Sequence, residues 1–524
     1  MTNLLDNGPN IWQAECLEAL NPPLRASDLN RSRRTPDRDA LLREIERLRR
    51  ENEKLRDQAK QAAEEIAEKN NQIADLERQL AARKQNSRNS SKPPSSDGLA
   101  GESRLRGRQQ RRKPSGKKPG GQPGHAGKHR PQAPPERVNE VRTVLPEQCG
   151  HCGHGLRQRL EEVQTSGDVH RHQVVEVPAI AAHIIEYQCH RVICPRCQKS
   201  TRAPIPEQAK RQTGPQLTAL VAYLTVTCRM PRRVLETVLE QVLGTAVSVG
   251  NTQACWEEAS EAVAAPCQEL EQRLHREPVL NVDETGWRTN GEKRYLWAFV
   301  AAGFVLYTIA RTRGSELLIQ LLGAVFEGIL CSDRFSGYLK YHQGKAQFCW
   351  AHLKRNLLGV LDFTKQTATE RFCRDALSVH ASLFRLWHKF RSGLIDRPQL
   401  LKRSIRLQRR LFVLAEAHLD SPDRQVQNLA RALFEHAEQL FTFLEHAGVE
   451  PTNNSAERAL RTGVQWRKIC FGNRSAAGEH ATARLLTVTQ TCCLHRRSPL
   501  QYLASAISCH RSRQTVPSLM SSQQ

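Results

Sequence analysis

Apolar residues recur every three to four positions from Leu41 to Leu80, thin out through a long polar stretch, then return as short alternating runs and longer helical and strand-like segments. In the first segment Ile45, Asn52, Ala59, Ile66, Ile73 and Leu80 fall at heptad position a. Leu41, Leu48, Leu55, Ala62 and Leu76 fall at d, and only Lys69 breaks that register. Glu, Lys and Arg occupy the flanks. The pattern predicts a coiled coil over residues 38–84, in which an Asn52 pair fixes a parallel, in-register dimer. A lone helix lying on the chain's own body is the competing reading, and the charged flanks disfavour it.

Residues 85–140 are dominated by Ser, Pro, Gly and basic residues, with few large apolar side chains. Such a segment buries too little to offset its ordering entropy, so we read it as a disordered basic linker. Arg111, Arg112, Lys113, Lys117 and Lys118 are then sequence-independent phosphate contacts. A solvated tether is the plainer reading of the same residues.

Residues 141–206 carry two CxxC turns, Cys149 with Cys152 and Cys194 with Cys197. Between them "HQVVEV" and "AHIIEYQC" alternate like strands. Two such turns bracketing a β ribbon supply four thiolates for a tetrahedral structural zinc site. Cys189, His151 and His190 are spare ligands, and redox chemistry is the rival for any single CxxC. Cys228, Cys255 and Cys373 lie in helical surroundings and read as buried apolar fillers.

Residues 207–272 read as helices, opened by Thr213 and Pro215 and punctuated by Gly244. A helix-turn-helix DNA-binding segment and an ordinary helical hairpin both fit the pattern. Beyond it the period changes. "PVLNVDETGW" predicts a short buried strand ending at Asp283. Two strand-like runs follow, 294–302 and 304–310, then a helix near Ser315–Leu322, then the strand "GILCSD" ending at Asp333.

In a ribonuclease-H-like sheet the first and fourth strands are neighbours, so their terminal carboxylates converge. With a third acid from a later helix they would hold two magnesium ions, about 3.5–4 Å apart, that clamp an in-line phosphoryl displacement. Hard cations require such oxygen ligands. Glu457, at the start of the helix in "PTNNSAERALR", is the candidate third acid; a capping arrangement with Asn454 at the N-cap would explain it without metal. Alternation sends Glu284 to the face opposite Asp283, toward an Arg or Lys.

Composition narrows the class. Among 524 residues, 39% are hydrophobic and 25% charged, enough for several domains with cores. The net charge of +24 favours a polyanionic partner, most simply nucleic acid. No apolar run approaches the ~18 residues of a membrane span. No basic-then-apolar signal opens the chain, so we expect a cytoplasmic, nucleoid-associated protein. Sixteen cysteines in that setting are thiols or metal ligands, not disulfides.

The motifs "NSSKPPSSDG", "KPGGQPGH", the paired CxxC turns, "VDETGW", "SDRFSGY", "CWAHLKRNL", "NNSAERALR" and "FGNRSAAGEHATARLLTVTQTC" occur in this order. In them the chain resembles the transposases of the insertion-sequence 66 family. The resemblance covers roughly residues 40–510 and leaves 1–37 unassigned. It implies a multidomain α+β protein: an N-terminal coiled coil, a small β zinc-finger module and a helical DNA-binding segment. A ribonuclease-H-like catalytic domain over 273–490, with a helical insertion near 357–449, and a tail over 491–524 would complete it.

The triad it implies is Asp283, Asp333 and Glu457, with two Mg2+ ions (or Mn2+), beside a structural Zn2+ on the cysteines. Arg458, Arg461, Arg467 and Lys468 would hold DNA phosphates. His352 would bond a phosphate or orient the second Asp, unless it is a packed structural His; Trp287 would stack on a base or close a core edge. The implied partners are element ends, target DNA, a second copy through the coiled coil, and accessory proteins of the element, with no membrane. The implied reaction is cleavage at the ends and strand transfer. A zinc-containing DNA-binding regulator without catalysis is the alternative, and a junction resolvase on the same fold is a third.

Overall fold

The computed structural model describes residues 38–86, 88–89, 132–156, 170–341, 344–364 and 366–520. The linker cations Arg111, Arg112, Lys113, Lys117 and Lys118, and residues 1–37, lie outside them. The chain divides into two units, Met1–Lys84 and Gln85–Gln524.

The first unit contains one 47-residue helix, α1 (Arg38–Lys84). Its heptad residues Leu41, Ile45, Leu48, Leu55, Ile66 and Leu76 are all exposed.

In the second unit the cysteine segment has little core. Its only regular sheet among the described residues is the antiparallel pair β1 (Arg191–Ile193) and β2 (Ser200–Arg202), both exposed. The expected strands at 172–189 do not form: the described residues there belong to no strand or helix. Val174, Val175, Ile184 and Ile185 stay exposed. Alternation gave them a strand-like face, but no described strand pairs with them.

Four helices follow: α2 (Pro215–Val226), α3 (Arg232–Leu243), α4 (Val249–Ala262) and α5 (Ala264–Arg273). Pro215 sits in the first turn of α2, where its missing N–H costs nothing. Gly244 ends α3 at φ 62°, and the N–H groups of Gly244 and Thr245 close onto Glu240 and Leu239. Trp256 of α4 carries the Arg232 guanidinium 5.0 Å from its ring centre. Cys255 and Cys373 are buried, as expected of apolar fillers, but Cys228 is exposed.

The centre is a five-stranded mixed sheet: β3 (Val279–Thr289), β4 (Glu292–Val300), β5 (Val305–Ala310), β6 (Ile329–Ser332) and β7 (Ala346–Phe348), in the order β5-β4-β3-β6-β7. β3, β4 and β5 are antiparallel, while β6 runs parallel to β3 and β7 to β6. α6 (Glu316–Leu322) joins β5 to β6, and α7 (Ser336–Tyr341) joins β6 to β7.

Both sheet edges are covered by side chains from helices. On one side α14 (Ala476–Leu494) lends Thr491 and Thr487, whose hydroxyls accept the N–H groups of Val305 and Tyr307. On the other, α12 (Ala437–Glu445) meets β7. Thr442 donates to the Ala346 carbonyl at 2.6 Å, and Gln347 accepts the Phe443 N–H at 2.8 Å. Unpaired edge groups that would template aggregation are thereby satisfied.

After β7 the chain to the Glu457 helix is helical, in the span expected of the insertion near 357–449. α8 (Trp350–Phe363), α9 (Thr367–Arg391), α10 (Arg397–Glu416), α11 (Arg424–Glu435) and α12 pack around Phe372, Leu383, Trp387, Leu400 and Leu433. α13 (Asn454–Cys470) then returns to the sheet. The C-terminal region includes α15 (Pro499–Arg511), which closes on α2 and α4: Arg511 forms a buried pair with Glu258 at 2.8 Å. No helix among the described residues is long and apolar enough to cross a membrane.

Candidate active site

β3 does not end at Asp283 as expected: pairing with β4 carries it on to Thr289. Asp283 and Asp333 are nonetheless in register, because β3 and β6 are parallel neighbours, paired from Val279–Ile329 to Asn281–Cys331. Asp333 follows the last residue of β6, and its Oδ1 accepts the Phe335 N–H at 2.9 Å, a turn that lifts the chain off the strand. Glu457 lies in the first turn of α13.

One buried side chain pins α13 to β3. Asn453 donates to the Val282 carbonyl at 2.7 Å and accepts from the Asn281 amide at 2.9 Å. Its backbone N–H meets Cys349 Sγ at 3.1 Å, at the start of α8. The capping alternative for Glu457 therefore does not hold. The N-cap is Asn453, not Asn454, and its side chain is spent on the strand. The Glu457 carboxylate instead accepts from Arg355 Nη2 at 2.8 Å, with His352 Nδ1 at 3.5 Å from the same oxygen.

Electrostatics ties the acids together. Burial comes first, and the carboxylates of Glu284, Asp333 and Glu457 add to it, so that Asp283 is held well above the usual carboxylate range. Burial also raises Glu284, opposed by the Tyr338 hydroxyl and Arg313. Both groups hydrogen-bond the Glu284 carboxylate, so it faces a cation and a phenol, as alternation implied. Burial, then Arg355, lowers His352.

The three acids do not close into a group with all ligand atoms within 4.8 Å of one another; among the described residues Cys349, His352 and Glu457 do. That spacing is compatible with a metal ion. Its donors are engaged, however: the thiol by the Asn453 N–H and the carboxylate by Arg355.

Other expectations fare differently. Arg458 and Arg461 are exposed on α13 near Glu457, and Lys468 is exposed in its last turn. Arg467 is half-buried and partly engaged. Its guanidinium donates to the Gly286 carbonyl of β3, and burial lowers its pKa. Trp287 is 2% exposed, with its indole N–H on Asn473 at 2.7 Å, so it is core and not a base-stacking surface.

The two CxxC turns are built alike. Cys149 N–H donates to the His154 carbonyl and Gly153 N–H to the Cys149 carbonyl; Cys194 and Gln198 repeat this with Lys199 and Cys194. Gly153 and Gln198, at the matching position, both have positive φ. In each turn backbone N–H groups lower the first thiol's pKa. The four cysteines are not gathered within 4.8 Å as a ligand group.

Sequence reasoning missed Arg334, Arg355 and Asn453. Arg334 adjoins Asp333, and Arg355 lies one helical turn past His352, so adjacency and an i, i+3 spacing could have flagged both. Arg334 Nη1, His352 Nδ1 and Arg355 Nε are buried with no hydrogen-bond partner among the described residues.

The sequence profile described as "Transposase IS66 family" matches residues 210–481, which include all three acids. The chain belongs to that family. A second profile, a family of unknown function (DUF6444), matches residues 33–131. Two relatives from Sinorhizobium fredii are similar to this family member. Uncharacterized protein y4qI is 27% identical over 240 residues, 41% of this chain and 43% of the relative. Uncharacterized protein y4hP is 24% identical over 413 residues, 71% of this chain and 73% of the relative. The chain thus spans less than half the length of the first relative and about three quarters of the second.

Proposed function

We propose that this chain is an insertion-sequence DNA transposase that cleaves at element ends and transfers the freed 3′-hydroxyl into target DNA. The observation that supports the reading is the placing of Asp283 on β3, Asp333 just past the neighbouring parallel strand β6, and Glu457 in the first turn of α13, with the charges of Glu284, Asp333 and Glu457 all raising Asp283. The strand order, with three antiparallel strands and then two parallel ones beside the first, supports a ribonuclease-H-like domain.

The donor set fits two magnesium ions, with manganese as a substitute. All its atoms are carboxylate oxygens, and like charges crowded in a half-buried site favour a cation between them. When bound, such ions stabilise both the attacking and the leaving oxygen of an in-line displacement and make a water nucleophilic. Asp283, Asp333 and Glu457 would hold them. Arg355 holds the Glu457 carboxylate at the site. Asn453 fixes the distance from α13 to β3, and Glu284 anchors β3 through Arg313 and Tyr338 without facing the reaction.

Arg334, next to Asp333, and Arg355, on Glu457, would add cationic charge that favours a phosphodiester beside the acids. Arg458 and Arg461 would extend that grip along the backbone. The exposed heptad face of α1 supports a homodimer through a coiled coil, and the matched CxxC turns support a structural zinc site.

The test is strand transfer with a 3′-hydroxyl donor end and a plasmid target. Asp283→Asn should lose at least ~10³-fold in rate while binding DNA as before. Full strand transfer by that variant would defeat the catalytic reading; no strand transfer by the native chain, with DNA binding intact, would leave the regulator.

A further inference from the structure

Helix α10 in the insertion carries a charge that the proposed chemistry does not use. Arg397, Lys402, Arg403, Arg406, Arg409 and Arg410 precede its only acid, Glu416. At 100° per residue, the side chains from Lys402 to Arg410 fall within an arc of about 120°. The opposite face, Leu400, Ser404, Leu411 and Ala415, is buried in the insertion. Two of the cations have structural work. Arg397 donates to the carbonyls of Phe443 and Leu444, and Arg410 pairs with Asp375 at 3.0 Å. Lys402, Arg403, Arg406 and Arg409 are exposed and form no hydrogen bond or ion pair with another described residue. A solvated helix face ordinarily intersperses acids at i+3 or i+4, and this one has none there.

We propose that this face of α10 is a second DNA-binding surface that follows the sugar–phosphate backbone of a duplex without reading its sequence. The dimensions agree. From Lys402 to Arg409 the helix rises about 10 Å, a length over which B-DNA presents about six phosphate charges. Three of the four free cations are arginines, whose planar fork suits phosphate oxygens. An acidic protein surface is the competing occupant; it would want an apolar centre ringed by charge, whereas here the exposed apolar side chains Ile405, Phe412 and Val413 lie beside the cations or beyond them along the helix, not among them. The inference takes only the identity of the polyanion from the transposase reading.

The experiment measures binding of a fluorescent duplex by the full chain across a KCl series. The variant carries Lys402→Gln, Arg403→Gln, Arg406→Gln and Arg409→Gln. Glutamine keeps helix propensity, so circular dichroism and melting should match the native chain. Each lost phosphate contact flattens the plot of log affinity against log salt by about 0.9, so the slope should fall by about 2–4. The loss should be the same on unrelated sequences. An unchanged slope, with affinity within about twofold, overturns the proposal, and so does a loss confined to one sequence. If the fourfold variant misfolds, Arg406→Gln alone should flatten the slope by about 1, and no change there also overturns it. Failure of Asp283→Asn to abolish strand transfer would leave this measurement intact, so the two readings fail separately.

Discussion

The acid centre and the cysteine segment solve the problem of holding ligands in opposite ways. Around the acids the scaffold is assembled from remote parts of the chain: a central sheet, a helix whose Asn453 cap lies 171 and 172 positions from its partners on β3, and buried hydrogen bonds that lock them together. Around the cysteines the order is local. Each turn is complete within six residues, while the surrounding apolar side chains remain exposed. The acid residues are thus organised by a core, whereas the two cysteine turns repeat one local geometry but have no core to bring them together. In the second case the metal itself would be the core.

The largest effect should come from removing that metal. If the four cysteines bind structural zinc, chelation should deprotect the amides of 146–206 while leaving the central sheet untouched. The binding free energy at stake is on the order of 10 kcal/mol. Hydrogen exchange with and without chelator checks this, and Cys149→Ser with Cys152→Ser should reproduce the chelated pattern. Identical exchange under both conditions would erase the contrast and leave two independent thiol turns.

Next in size is the hydrogen-bonded lock of the acid centre. Asn453 is 1% exposed and joins β3, α8 and α13. Asn453→Ala would orphan the Val282 carbonyl and the Asn281 amide, at a cost of about 2–3 kcal/mol. Urea unfolding followed by far-ultraviolet dichroism should register it, and strand transfer should fall further than the stability loss alone explains, because Glu457 loses its fixed distance from Asp283. A midpoint equal to the native one would mean that α13 is held by its apolar face alone.

What was legible in the sequence follows the same divide. The strand before Asp333 and the helix between β5 and β6 were readable, because apolar runs bounded by turns carry their own period; the strand of Asp283 was found but not its end, since it runs on to Thr289 in a hairpin with β4 that the polar residues after Asp283 did not announce. β7 was not: three residues, Ala346–Phe348, hold too little pattern, and they are a strand only because β6 and α12 flank them. The run 172–189 misled for the converse reason, since alternation specifies a face but not a partner to pair with. Arg467 looked like a surface cation until β3 supplied the Gly286 carbonyl. Asn453 could not be recognised at all, because its partners lie 171 and 172 positions away and polar residues carry no periodic signal.

The smallest effect, and the most specific to the acid centre, is its pH dependence. Burial and the neighbouring carboxylates raise Asp283 in the folded chain above its value in the unfolded one. The folded protein therefore keeps that proton to higher pH. The resulting stabilisation is fully present below the unfolded pKa and is lost as pH rises through the folded one. Without divalent ions, melting temperature should decline across that window by a few degrees at most, and Asp283→Asn should remove the decline. Magnesium should offset it by binding the carboxylate form, so the gain in melting temperature on adding magnesium should grow with pH. Thermal melts at matched ionic strength, with and without magnesium, measure both. A magnesium gain that is constant with pH, or that persists in Asp283→Asn, would mean that the ion sits away from Asp283. The acid centre would then be preorganised for something other than a cation, and its contrast with the cysteine turns would rest on packing alone.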